Sequence, residues 1–183
     1  MVEREYDPVL LGFIVDVNRR RLKSVKEAII SAICKMESDE MAYIYYPSHG
    51  DIPRWPGEAV ASIANYKPVK VDLRHGIKRV LSLMAKEDED AKRYLFVILD
   101  ELSPIQDKLT RILEQNNIPI WERQNIGVRF CIFDGDMPNS TDVCKFFQAD
   151  TENLGKFILN TYKEYHGRIG KTETSPRGEA NAS

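Results

Sequence analysis

The sequence predicts an α/β fold: a three-layer, open, twisted and mainly parallel sheet with helices on both faces. Three observations predict it. Apolar runs such as VLLGFIV at 9–15 and YLFVIL at 94–99 are continuous rather than alternating, as strands covered on both faces require. Amphipathic segments with apolar residues at helical spacing separate these runs. The strands also end in carboxylates, at Asp16, at Asp100 with Glu101, and at Asp134 with Asp136. Buried strands alternating with amphipathic helices give a parallel sheet, and such sheets bind ligands beyond the carboxyl ends of their strands.

The elements follow in order. After the strand ending at Asp16, a helix from about Leu22 to Met36 carries Leu22, Val25, Ile29, Ile33 and Met36 on one face, with Lys23, Lys26 and Glu27 off it. Met41–Tyr46 is a second strand, rich in aromatics. Residues 47–70 break the rhythm with Pro47, Pro53, Pro56 and Pro68. Glu58–Tyr66 is a candidate short helix within that stretch, and a connection of this length carries structure or function. A helix over about Asp72–Lys86 turns Leu73, Ile77, Val80, Leu81 and Met84 inward, and residues 86–90 form a charged connector. The strand at 94–99 leads to a helix over Pro104–Gln115, a short strand at Ile118–Trp121 and a firmer one at Val128–Phe133. Cys144–Gln148 reads as an edge strand. Asp150 or Thr151 caps a last helix with Leu154, Phe157, Ile158, Thr161 and Tyr162 inward. Apolar periodicity ends there, so residues 1–166 form one domain and 167–183 a polar, disordered tail.

The length of 183 residues, 43% apolar and 30% charged, suits one ordinary globular domain. Lys and Arg number 26 against 28 Asp and Glu, for a net charge of −2. That balance exerts no global pull toward nucleic acid or anionic membrane. No run approaches the roughly 20 apolar residues of a membrane span, and the acidic start lacks the features of a secretory leader. The three scattered cysteines form no CxxC pair, which argues against a zinc knuckle or a dithiol redox site. Cys34 and Cys131 sit in apolar contexts and read as small buried hydrophobes. A reducing, cytoplasmic compartment fits this usage.

Phosphate cradles are excluded: neither GxGxxG nor GxxxxGK[ST] is present. The chain after the first strand is instead Asp16-Val17-Asn18-Arg19-Arg20-Arg21. No GxSxG elbow occurs, and the adjacent residues of Ser48-His49-Gly50-Asp51 cannot face one another as a relay. Asp16, Asn18, Asp72 and Asp100 could converge on a hard cation such as Mg²⁺ through oxygen ligands. The basic run Arg19, Arg20, Arg21, Lys23 and Lys26 offers the other outcome, carboxylates satisfied as ion pairs. The favoured expectation is no cofactor.

At these residues the chain resembles a von Willebrand factor type A domain. The likeness lies in LLGFIVDV followed by a long helix, in VDLRHGIKRVL, in YLFVILDE and in FFQADTENLGKFI, and covers roughly residues 9–165. It implies a Rossmann-like architecture and partner binding at the strand-end face. The family's metal-ion-dependent adhesion site has Asp-x-Ser-x-Ser after the first strand, a Thr before a later helix and an Asp after a later strand. Asp16 and Asp100 match its aspartates. Its serines fall on Asn18 and Arg20 and its Thr on or near Val71, so the site is degenerate. Arg20 or Arg19 is expected in the cation's place, paired with Asp16 and Asp100. The resemblance thus implies a non-enzymatic protein-interaction or scaffolding module, with the 47–70 loop contributing and Trp55, Tyr66 and Trp121 as candidate apolar anchors. It leaves the partner protein unnamed and self-association open. An alternative resemblance, to small metal-dependent nucleases of the NYN or PIN type, would use Asp16, Asn18, Asp72 and Asp100 around Mg²⁺. Nucleic-acid binding without catalysis would run through Arg19–Lys26.

Overall fold

A computed structural model describes residues 7–172, apart from 48–52, 68–69, 88–89, 103–108, 110 and 113–116. Strand β1, Val9–Asp16, is buried until its last residue. It feeds helix α1, Arg19–Ile33, whose buried face is Leu22, Val25, Ala28, Ile29, Ala32 and Ile33. Strand β2, Ala42–Ile44, and a two-residue β3, Pro53–Arg54, precede α2, Pro56–Ala64, and α3, Leu73–Met84. Then come β4, Lys92–Glu101, α4, Asn117–Arg123, β5, Ile126–Asp134, β6, Cys144–Gln148, and α5, Leu154–Thr172.

The strands form one six-stranded sheet in the order β3-β2-β1-β4-β5-β6. Every pairing is parallel except β2 with β3, so the reversed strand lies at one edge. Alternate residues of β1 serve opposite cores, as the period of two demands. Val9, Leu11, Phe13 and Val15 pack with α1, α2 and α5, whereas Leu10 and Ile14 pack with α3, Leu109, Ile112 and Trp121. Helices thus cover both faces of a mainly parallel sheet, the three-layer, Rossmann-like α/β architecture expected from the sequence. Gly12 sets the approach of α3: a Cβ there would lie 2.9 Å from Val80 Cγ1 and 3.2 Å from Met84 Sδ.

Several expectations are corrected. Ile118–Trp121 belongs to a helix, not a strand. A short apolar stretch cannot distinguish the two by periodicity, and Pro119 is tolerated in a first helical turn, where no N–H is needed. Cys34 is exposed, because Ile33 takes the last inward position of α1 and the next residue rotates outward; Cys131 and Cys144 are buried. Helix α5 continues past Gly167 to Thr172. Residues 173–183 of the expected tail, and most of the helix expected over Pro104–Gln115, lie outside the described residues. No described helix is long and apolar enough to cross a membrane.

Candidate functional site at the strand ends

The parallel register brings three carboxylates to one edge of the sheet. Asp16 lies opposite Leu99, so Asp16 and Asp100 end adjacent strands, and Asp134 lies opposite Glu101. The chain leaves β1 through Val17 and enters α1 at Asn18, whose Oδ1 caps the helix by accepting the Arg21 N–H at 3.1 Å. The same asparagine binds the neighbouring strand: its backbone N–H donates to Asp100 Oδ2 at 2.7 Å and its Nδ2 to Asp100 Oδ1 at 3.2 Å.

The cation in this crevice is Arg21. Its Nη1 donates to Asp100 Oδ1 at 2.9 Å and to Asp134 Oδ2 at 2.7 Å, and its Nη2 to Asp134 Oδ1 at 2.9 Å. The Asp134 pair is bidentate, the geometry that suits a planar guanidinium. Arg21 Cζ also lies 4.8 Å from the centroid of the Phe133 ring. The sequence expectation therefore needs two changes. Arg21, not Arg19 or Arg20, holds the position, and it pairs with Asp100 and Asp134, not with Asp16. Arg19 and Arg20 are exposed and Arg21 half-buried. Helical side chains tilt back toward the N-terminus, so the third residue after the cap covers the strand ends, while Arg19 and Arg20 project to solvent.

The charges respond to this arrangement. Arg21 holds the Asp134 carboxyl below the usual carboxylate range. Asp16 is shifted the other way, first by burial and then by the neighbouring Asp100 charge, and it makes no ion pair among the described residues. A carboxyl with a raised folded pKa opposes folding at neutral pH. That cost is relieved as pH falls through the folded pKa. Asp16→Asn is accordingly expected to stabilise the protein at pH 7. Solvent screening at this exposed residue limits the gain to about 0.5 kcal/mol, and it should be gone by about pH 3, below the unfolded value of about 3.9, where the carboxyl is protonated in both states. Urea unfolding at both pH values measures it; a loss of stability at pH 7 would refute the assignment.

The other sequence candidates do not join this crevice. Trp55 is 50% exposed and precedes α2. Because β3 runs antiparallel to β2, with Arg54 opposite Ala42, Trp55 lies toward the amino-terminal end of β2, away from Asp16, Asn18 and Asp100. Tyr66 is buried and donates its hydroxyl to Val15 O at 2.8 Å. Trp121 is likewise buried in the core under β4 and β5. Neither is an exposed anchor. Asp72 caps α3, accepting the His75 N–H at 3.1 Å. Lys26 donates to Ala64 O at 3.0 Å, tying α1 to the end of α2.

The guanidinium occupies Asp100 Oδ1 and both Asp134 oxygens, and Asn18 N–H takes Asp100 Oδ2, so of the three strand-end carboxylates only Asp16 keeps its oxygens unbonded among the described residues. Among the described residues no cluster of three or more His, Cys, Asp or Glu is arranged to hold a metal. Sequence inspection missed Arg21 and Asp134 as partners, although the Asp134-Gly135-Asp136 strand end was a visible signal. No protein-family model and no curated protein matches the chain.

Proposed function

We propose that the protein is a metal-independent protein-interaction module of the von Willebrand factor type A kind, docking a partner on its strand-end face. The carrying observation is the Arg21 guanidinium bonded to both Asp100 and Asp134, a cation built into the chain. Asp16 and Asp100, the two aspartates common to the family's adhesion site, end adjacent strands, which supports the same conclusion. So does the start of α1. Its first turn holds three arginines and no acidic residue, although cations at this end of a helix are each unfavourable by about 0.3–1 kcal/mol. Departures from local preference concentrate at functional sites. Exposed Arg19 and Arg20 suit a partner surface bearing carboxylates.

Two measurements test this proposal. Manganese titration followed by electron paramagnetic resonance should give no saturable binding to the wild type. Arg21→Ser, which frees Asp100 and Asp134 and leaves Asp16 beside them, should gain roughly tenfold or more in Mn²⁺ affinity. Saturable binding at the wild-type strand ends would overturn metal independence. Cross-linked partner capture should survive EDTA and fall with Arg20→Glu. Chelator-sensitive capture, or capture indifferent to Arg20→Glu in a folded protein, would remove the strand-end face as the interface.

A further inference from the structure

The opposite end of the sheet holds a second constellation. Lys92 and Tyr94 of β4, Arg129 of β5 and Lys145 of β6 project from one face, since pairings of Tyr94 with Gly127 and Arg129 with Lys145 put them at alternate positions of neighbouring strands. They line a cleft of about 510 Å³ at the amino-terminal ends of these strands, closed on one side by α5. That volume lies within the roughly 300–1,000 Å³ of small-molecule sites.

Arg129 is the unusual member. It is 7% exposed, yet it has no carboxylate partner among the described residues. Its Nη1 donates to Val128 O and Val143 O, both at 3.1 Å. Its Nε and Nη2 donate to no described residue. Neither atom is sealed from solvent, because Tyr43 Oη is the one fully buried, unpartnered side-chain polar atom among the described residues. The Nε–Nη2 edge is the fork that receives a carboxylate or phosphate through two parallel bonds. Arg129 Cζ is held 5.3 Å from the Tyr94 ring centroid. Gly127 leaves the room for this stacking: a Cβ there would stand 3.0 Å from Arg129 Nη1 and from the Tyr94 ring. Burial pulls the guanidinium pKa down, and the charge of the exposed Glu164 opposes that only in part.

We infer that this cleft binds a small carboxylate-bearing molecule, with the ligand's carboxylate seated on the Nε–Nη2 edge of Arg129. A buried charge is ordinarily paired, and here the missing partner is anionic. The wider lining selects the class. Lys92, Arg129 and Lys145 are balanced by Glu122, Asp142 and Glu164 around the cleft, so one added negative charge is tolerated better than the two of a phosphate. Those three carboxylates are exposed and screened, whereas Arg129 is not. The site is independent of the strand-end face and stands or falls separately from the interaction function.

Nitrogen-15 NMR of the arginine Nε–H groups, with benzoate and inorganic phosphate as probes, tests it. Benzoate should shift Arg129 Nε–H saturably, and Arg129→Gln should weaken binding roughly tenfold or more. Exposed Lys145→Glu should weaken it several-fold while keeping the fold, and it decides the matter if the Gln variant is unfolded. Arg20→Gln should change nothing. Absence of a saturable Arg129 shift, or shifts confined to Arg19, Arg20 and Arg21, would overturn the site. Phosphate binding at Arg129 as tightly as benzoate would overturn the carboxylate assignment.

Discussion

Glu40→Ala is expected to destabilise the fold by about 3–5 kcal/mol, the range for stranding the partners of a buried charged group. Glu40 is fully buried in the turn between α1 and β2. Its Oε1 accepts the Val9 N–H at 2.9 Å, and its Oε2 accepts the Glu37 N–H at 2.9 Å and the Tyr162 hydroxyl at 2.6 Å. Three donors from the first strand, a turn and the last helix therefore meet on one carboxylate. Alanine leaves those donors in a dry site, each worth about 1–3 kcal/mol when unsatisfied. Glu40→Gln keeps the shape and one acceptor but turns an amide N–H₂ toward donors, so an intermediate loss of about 2 kcal/mol is expected. Urea unfolding measures both. A cost under about 1 kcal/mol for alanine would show that the three donors find other acceptors.

Arg93→Met is expected to cost about 3 kcal/mol, although methionine restores most of the apolar volume. Arg93 is 3% exposed, and its guanidinium acts as a hub for carbonyls. Nε donates to Met84 O at 2.8 Å, Nη1 to Ala91 O at 2.9 Å and Gln124 O at 3.0 Å, and Nη2 to Glu87 O at 3.1 Å. The cation thereby caps the negative end of α3 and fixes the turns before β4 and β5. Arg93→Lys should recover only part of the loss, since a compact ammonium cannot span the same carbonyls. Hydrogen exchange should quicken first in the last turn of α3; unchanged protection there would disprove the capping role.

Much of the fold was legible because burial on both faces writes a continuous apolar run, as in β1 and β4, and a helix writes its period over several turns, as in α3. Ile118–Trp121 was misread because four apolar residues carry neither signature. Asp16 and Asp100 were legible as site residues from their place at strand ends. Arg21 was not, because motif spacing points to Arg20, and only the tilt of helical side chains selects the next residue. Glu40 and Arg93 were invisible for another reason. A charged residue beside a strand looks solvated until its partners are known, and the Tyr162 that binds Glu40 is 122 positions away in sequence. Trp55 kept its exposure, but the reversal of β3 moved it to the other end of the sheet from the residues it was grouped with.

The arginine at the strand ends also determines what can regulate that surface. A bound metal ion exchanges with the medium, so its occupancy reports the concentration of that ion. A side chain tethered to the backbone cannot dissociate, and its local concentration is fixed when the chain folds. On the proposed reading, the strand-end charge pattern is therefore constitutive toward divalent ions and chelators. Its remaining levers are ionic strength, which weakens exposed charge pairs, acid strong enough to protonate Asp134, whose carboxyl Arg21 holds low, and covalent change to the arginine itself.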